Sequence, residues 1–290
     1  MNTQEMVQDL NSKFQSDSIR FGIWENSDLP TIFVANKYCQ GAVSVFGAHV
    51  LSYIPAGQQE VLMMSKASHL AAPKAIRGGI PLCWPWFGGD PQPTHGTGRI
   101  QFWNVTAVIR EADGSDTICL TLSIEEPHRL DASLKVNFGK KLSITLNTVN
   151  QGDTAFVLAE GIHTYFSIGE ISQCFIHGLG GAKAENRVDN TEFVAADTFG
   201  FEAETDNIYY STSAITIEDR AWNRKILVEK LNSNTSVVWN PWIAKSQRMP
   251  DFGDEEYHNM VCVEATNCAG AKIELAPGRA HSITQLISVL

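Results

Sequence analysis

Past its first eighteen residues the chain alternates apolar and polar side chains with a period of two, and helical periodicity nearly vanishes. Ile118, Leu120, Leu122 and Ile124 alternate with Cys119, Thr121 and Ser123. Leu134, Val136 and Phe138 repeat the pattern, as do Leu142, Ile144 and Leu146. Successive side chains on a strand point to opposite faces, so this spacing marks strands with one face buried. Shorter β-type runs cover 42–46, 50–54, 225–228, 236–239, 260–264, 272–275 and 283–289. Turn sequences such as Ala112-Asp113-Gly114-Ser115 and Asn150-Gln151-Gly152-Asp153 separate them. Many short alternating strands at modest spacing predict an all-β sandwich. The exception is the N-terminus, where Met6, Leu10 and Phe14 recur every fourth residue and predict a short helix within 1–18. No composition shift, repeat or low-complexity tract marks a linker, so residues 1–290 are expected to form a single domain.

Bulk properties narrow the partners. Hydrophobic residues make up 43% and charged residues 19%, enough for a sizeable core. The formal net charge of −10 repels nucleic acid and anionic membranes at long range. The opening residues MNTQEMVQDLNSKFQ lack the apolar stretch of a signal peptide, and no run of ~18 apolar residues suits a membrane span. The six cysteines form no CxxC pair and no His/Cys cluster with zinc spacing. They read as small buried hydrophobes with reduced thiols. The expectation is a cytoplasmic monomer acting on a small molecule, with no zinc-type site.

Two stretches break the β pattern, 65–98 and 240–259, the second carrying the acidic run 251–256. Long irregular loops in a compact β fold usually serve function. In the first, Gly78 and Gly79 follow Arg77 directly and allow positive φ and close backbone approach. An arginine in a Gly/Pro-stiffened loop suits bidentate anion binding. Trp84, Trp86 and Phe87 either stack on sugar faces or plug one end of the sandwich. Next, His95 and Arg99 flank the Gly-rich turn of PTHGTGR. Each alone fits an ordinary turn or ion pair. Two arginines in adjacent Gly-rich loops of an acidic protein suggest a phosphate or carboxylate clamp.

Two further residues can move protons. His163 lies in LAEGIHTYFS, where period two puts it on one face with Tyr165 and puts Ile162, Thr164 and Phe166 on the other. Its ordinary pKa of ~6.5 lets it give and take protons near neutrality. Glu264 stands at the end of the apolar run MVCVE, where partial burial raises a carboxyl toward general-base strength. Read singly, each is more often a satisfied core histidine or an exposed glutamate. Asp206 and Tyr209, in ETDNIY, can hold sugar hydroxyls or close a polar turn.

As an ordered set, GAHVLSYIP, IRGGIPLCWPWFG, THGTGR, EGIHTYF, ETDNIY, VVWNPW and VCVEATN, spread over roughly residues 40–290, resemble the aldose 1-epimerase (mutarotase) superfamily. The likeness is strongest to its hexose-6-phosphate mutarotase branch. The resemblance implies a galactose mutarotase-like β supersandwich. It also implies interconversion of the α and β anomers of an aldohexose 6-phosphate without metal or cofactor. His163 matches the catalytic acid that protonates the ring oxygen, and Glu264 the base on the C1 hydroxyl. Arg77 and Arg99 match substrate-binding arginines near the phosphate, and Asp206 a substrate-binding aspartate. His95, Thr94 and Trp84 complete the expected substrate contacts. The turn departs from the family's HGFAR: Thr97 and Gly98 replace an aromatic residue and an alanine, and Thr94 stands where glutamine or serine is common. These changes bear on which sugar phosphate fits. Competing expectations are a mutarotase of unphosphorylated aldoses and a non-catalytic sugar-phosphate sensor. A glycoside hydrolase needs two flanking carboxylates, and only Glu264 stands out.

Overall fold

The computed structural model describes residues 2–290, and its sheets are built of antiparallel strands. Two large sheets dominate. One has nine strands, in the order Thr198–Phe199, Cys174–His177, Ile215–Asp219, Arg224–Leu231, Ala280–Val289, Leu142–Asn150, Leu130–Phe138, Asp116–Ile124 and Asn104–Arg110. The other has eight. Its central path runs Thr191–Val194, Lys183–Asn186, Thr205–Tyr209, Thr235–Asn240, Met260–Asn267, Glu160–Ile162 and Leu82–Cys83, with Tyr165–Ser167 also paired to Met260–Asn267. A four-stranded sheet from Ile19–Ile23 to His49–Pro55 and a two-stranded ribbon complete the β structure.

The nine-stranded sheet follows the alternation directly. Leu130–Phe138 and Leu142–Asn150 each bury every second residue, including Leu134, Val136, Ile144 and Leu146. Each such side chain removed from water contributes about 1.5–3 kcal/mol. The predicted helix spans Thr3–Phe14, is closed by an Asn2/Glu5 capping box and buries Leu10. Among the described residues no helix is long and apolar enough to cross a membrane.

The strand Met260–Asn267 departs from expectation. It is buried at all eight positions, because its two faces are covered and not one. Glu264 is its fifth residue, so the glutamate sits mid-strand and not at a strand end. Two hydrogen bonds through Gln285 help tie the sheets together beneath it. Thr164 donates to the buried Gln285 of the nine-stranded sheet, and Gln285 Nε2 donates to Val263 O at 3.0 Å.

Candidate active site

Cross-strand register assembles the floor of a cavity of about 840 Å³ on the eight-stranded sheet. Tyr165 pairs with Cys262, Cys262 with Trp239 and Trp239 with Asp206, so these four share one row and one face. Two residues along, Glu264 pairs with Val237 and Val237 with Ile208, giving a second row on the same face. His163 lies between the strands Glu160–Ile162 and Tyr165–Ser167 and stacks on Tyr165, with ring centroids 4.8 Å apart and planes at 9°. Trp239 meets both rings edge-on, at 6.3 Å from His163 and 5.8 Å from Tyr165. The imidazole is thus held by aromatic packing.

His163 Nδ1 lies 3.3 Å from Glu264 Oε1, and the side chains are 9% and 2% exposed. Burial pushes the Glu264 carboxyl well up, helped by the negative charge of Asp206. Burial pushes the His163 imidazole well down, and the neighbouring His95, Arg99 and Arg77 add to this. Burial therefore drives the pair toward its neutral forms, imidazole and protonated carboxyl, a resting state that carries one proton. Nδ1 of His163 and Oε2 of Glu264 are buried without a hydrogen-bond partner. Unsatisfied buried polar atoms are costly in a core and common where a substrate completes the bonding.

The Gly-rich loops place the rest. Gly78 and Gly79 both take positive φ, 101° and 60°, and a Cβ on Gly79 would lie 2.4 Å from Val50 O. Only glycine lets this turn press against its neighbours. His49 supports it from below: burial holds the imidazole neutral, pushed down to about 3, and Nε2 donates to Gly78 O at 2.7 Å. His95 reaches the cavity from a non-glycine positive φ of 61°. Its Nδ1 accepts from Gly88 N at 3.3 Å, leaving Nε2–H as a free donor. Burial and the charges of Arg99 and Arg77 push its pKa down to about 3, so it stays neutral.

Arg77, His95, His163, Asp206 and Glu264 all line the cavity. Arg77, however, is already engaged. Asp251 holds it through Nε at 3.2 Å and Nη2 at 3.0 Å, and Nη1 donates to Tyr165 OH at 2.9 Å. Burial opposes its charge, but Tyr165 and Asp251 more than offset this and hold its pKa above the ordinary range.

Three expected contacts lie elsewhere. Trp84 is fully buried, donates from Nε1 to Thr148 at 2.9 Å and packs toward Trp103, so it is core; Phe87 supplies the cavity aromatic of that loop. Arg99 is not a cavity-lining residue; its Nη2 donates to Thr94 O at 2.7 Å. Thr94 is likewise off the cavity and offers that carbonyl to Arg99. The pair stiffens the turn that carries His95.

Sequence reasoning missed Trp239, Arg187, Lys245 and Lys272 on the cavity wall. Lys245 binds Glu204 at 2.9 Å and Asp206 at 3.5 Å. Burial raises the Asp206 pKa while Lys245 pulls it back. Among the described residues, His163, Cys262 and Glu264 form a grouping that could hold a metal ion, with one ligand atom each within 4.8 Å of one another. The 3.3 Å between nitrogen and oxygen suits two ligands at ~2.0 Å from one tetrahedral ion. Cys262, though, is flanked by Trp239 and Tyr165, and burial keeps its thiol protonated.

A histidine and a carboxyl 3.3 Å apart, both driven toward their neutral forms over a polar, aromatic-walled cavity, can exchange protons with two oxygens of a bound sugar. The fold places the chain among the galactose mutarotase-like proteins. A crystal structure from Salmonella typhimurium described as "a putative mutarotase" superposes with a TM-score of 0.87 at 28% identity, covering 98% of this chain and 99% of that one. The galactose mutarotase related enzyme from Lactobacillus acidophilus shares the fold alone, with a TM-score of 0.71 at 14% identity over 89% and 96% of the two chains. The Aldose 1-epimerase family matches residues 30–288, and the chain belongs to that family. It is thus an isomerase of sugars. An Escherichia coli relative named "Putative glucose-6-phosphate 1-epimerase" is 35% identical over 247 residues, 82% of this chain and 83% of the relative.

Proposed function

We propose that the protein interconverts the α and β anomers of an aldohexose 6-phosphate, glucose 6-phosphate foremost. The observation that carries this reading is the His163–Glu264 pair, with its two pKa values pushed in opposite directions by burial. The names of relatives such as the Escherichia coli protein support the phosphorylated substrate. Ring opening removes a proton from O1 and delivers one to O5. From the resting state, Glu264 passes its Oε1 proton to His163 Nδ1. The imidazole releases its Nε2 proton to O5 as the C1–O5 bond breaks, while Glu264 Oε2 takes the O1 proton. Rotation about C1–C2 presents the other aldehyde face, and the reverse sequence closes the ring. His163 thus serves the ring oxygen and Glu264 the C1 hydroxyl, and charge never accumulates in the buried pair. Acid–base assistance of this kind contributes ~10²–10⁴-fold. Asp206 and neutral His95 are suited to hold ring hydroxyls.

A mutarotase of unphosphorylated aldoses is the second reading. It is favoured by the prior engagement of Arg77 with Asp251 and by the position of Arg99 off the cavity. The net charge of −10 supports a small-molecule partner over nucleic acid, and the six free cysteines support a reducing compartment, the cytoplasm. NMR exchange spectroscopy of glucose 6-phosphate anomers tests the reading. Wild-type protein should speed exchange, and His163→Ala and Glu264→Ala should each abolish the effect. Exchange no faster than in buffer, or undiminished in both variants, rejects it.

A further inference from the structure

The expected phosphate clamp of Arg77 and Arg99 is not free to act as one, and the cavity offers another. Among the described residues four cationic side chains line it: Arg77, Arg187, Lys245 and Lys272. Arg77 is bound by Asp251 and Tyr165, and Lys245 by Glu204 and Asp206. Arg187 has only a long 3.5 Å contact to Glu185, with half its side chain exposed. Lys272 is exposed and forms no ion pair among the described residues.

Register places these two opposite the proton-transfer pair. Arg187 N donates to Asp206 O at 2.7 Å, which extends the row Tyr165–Cys262–Trp239–Asp206 by one strand. From Glu264 to Arg187 is then three strand spacings across and two residues along, roughly 16 Å between Cα atoms. A glutamate and an arginine reaching toward each other over that span leave room for one pyranose ring with an extended C6 substituent. A chain of contacts brings Lys272 to the same wall. The guanidinium of Arg187 leans on Glu185, Glu185 accepts from Tyr210 OH, and Tyr210 OH accepts from Gly270 N at 3.2 Å, two residues before Lys272.

We infer that Arg187 and Lys272 form the subsite for the 6-phosphate dianion, and that Arg77 serves instead as a positioning residue that fixes Tyr165 beneath His163. The inference rests on the phosphorylated-substrate reading above. Arginine supplies a planar fork for two phosphate oxygens, and lysine a mobile point charge.

The test compares kcat/KM for glucose 6-phosphate and for glucose by NMR anomer exchange. The ratio of the two is the readout. Arg187→Ala or Lys272→Ala should lower it about 10-fold, and the double variant about 100-fold, through KM for the phosphorylated sugar. Inorganic phosphate should inhibit the wild type competitively and the double variant much less. Arg129→Ala, which removes the same charge from an exposed pair outside the cavity, should leave the ratio alone. Arg77→Met should slow both sugars by similar factors. A double variant that keeps the wild-type ratio overturns the subsite while leaving the activity intact. So does an Arg77→Met variant whose ratio alone collapses. If the wild type does not accelerate glucose 6-phosphate exchange at all, the proposed function fails and the subsite falls with it.

Discussion

His163 Nδ1 and Glu264 Oε1 face each other at 3.3 Å in a site where burial lowers the imidazole pKa and raises the carboxyl pKa. The two effects compound, since each keeps its group uncharged. An exposed pair of this kind would change its proton count near ~4.3 and ~6.5. Here burial drives the carboxyl up and the imidazole down, so the two groups exchange order and one proton should stay on the pair in the interval between them. kcat/KM for anomer exchange of glucose, which has no phosphate to titrate near ~6, should be flat from about pH 5 to 8. A bell with limbs at the ordinary values, measured on the free enzyme, would count against a buried proton-sharing pair.

The same shift has a consequence for stability. A carboxyl whose folded pKa is raised above its ordinary 4.5 holds its proton more tightly in the folded chain. That contribution is fully present below 4.5 and is lost as pH rises through and beyond that value, because the unfolded chain ionises first. Glu264→Gln keeps the shape without the ionisation. It should abolish exchange, yet gain stability relative to the wild type as pH rises from 5 to 8, read by urea unfolding. A gain that is equal at both pH values would mean the carboxyl is ionised in the fold.

Much of this fold was legible because one buried face writes itself into the sequence. Leu142–Asn150 alternates residue by residue, and Leu142, Ile144 and Leu146 show the period in the sequence. Met260–Asn267 is covered on both faces, so period two disappears and Glu264 looked like a strand end. The catalytic candidates were found through residue type and the family resemblance. Trp84 was misread because a tryptophan in a Gly/Pro loop looks the same whether it points to sugar or core. Trp239 and Arg187 share their row with Asp206 through strand register. That relation spans about fifty residues of chain and leaves no local trace.

Asp251 and Arg77 link the 240–259 loop to the glycine turn across 174 residues. Asp251→Ala leaves the mostly buried guanidinium with Tyr165 OH as its remaining side-chain partner. An unmade bond to a buried charge costs about 1–3 kcal/mol. The variant should lose that much stability by urea unfolding, and a loss below ~0.5 kcal/mol would mark the pair as a weak surface contact.

Thr164 and Gln285 give a second test of support from behind. Thr164→Val keeps volume but takes the donor from Gln285 Oε1, which is wholly buried. Stability should fall by about 1–3 kcal/mol. Exchange should slow as well, because Thr164 fixes the backbone between His163 and Tyr165. Lost stability with unchanged kcat would show that the aromatic packing alone orients the imidazole.

Gly79 and Gly57 separate two costs that glycine substitutions usually mix. Both have positive φ, 60° and 75°, so alanine at either pays the left-handed cost of ~1–2 kcal/mol. At Gly57 nothing lies within 4 Å of the new methyl, and that cost should be the whole effect. At Gly79 the methyl would meet Val50 O at 2.4 Å and His49 Nε2 at 2.8 Å, neither of which can withdraw without breaking the turn that holds Arg77. Gly79→Ala should therefore be destabilised well beyond Gly57→Ala by thermal or urea unfolding, and whatever folds should exchange anomers slowly. Equal losses in the two variants would mean the turn has slack, and that Arg77 is not held by the close approach of these backbones.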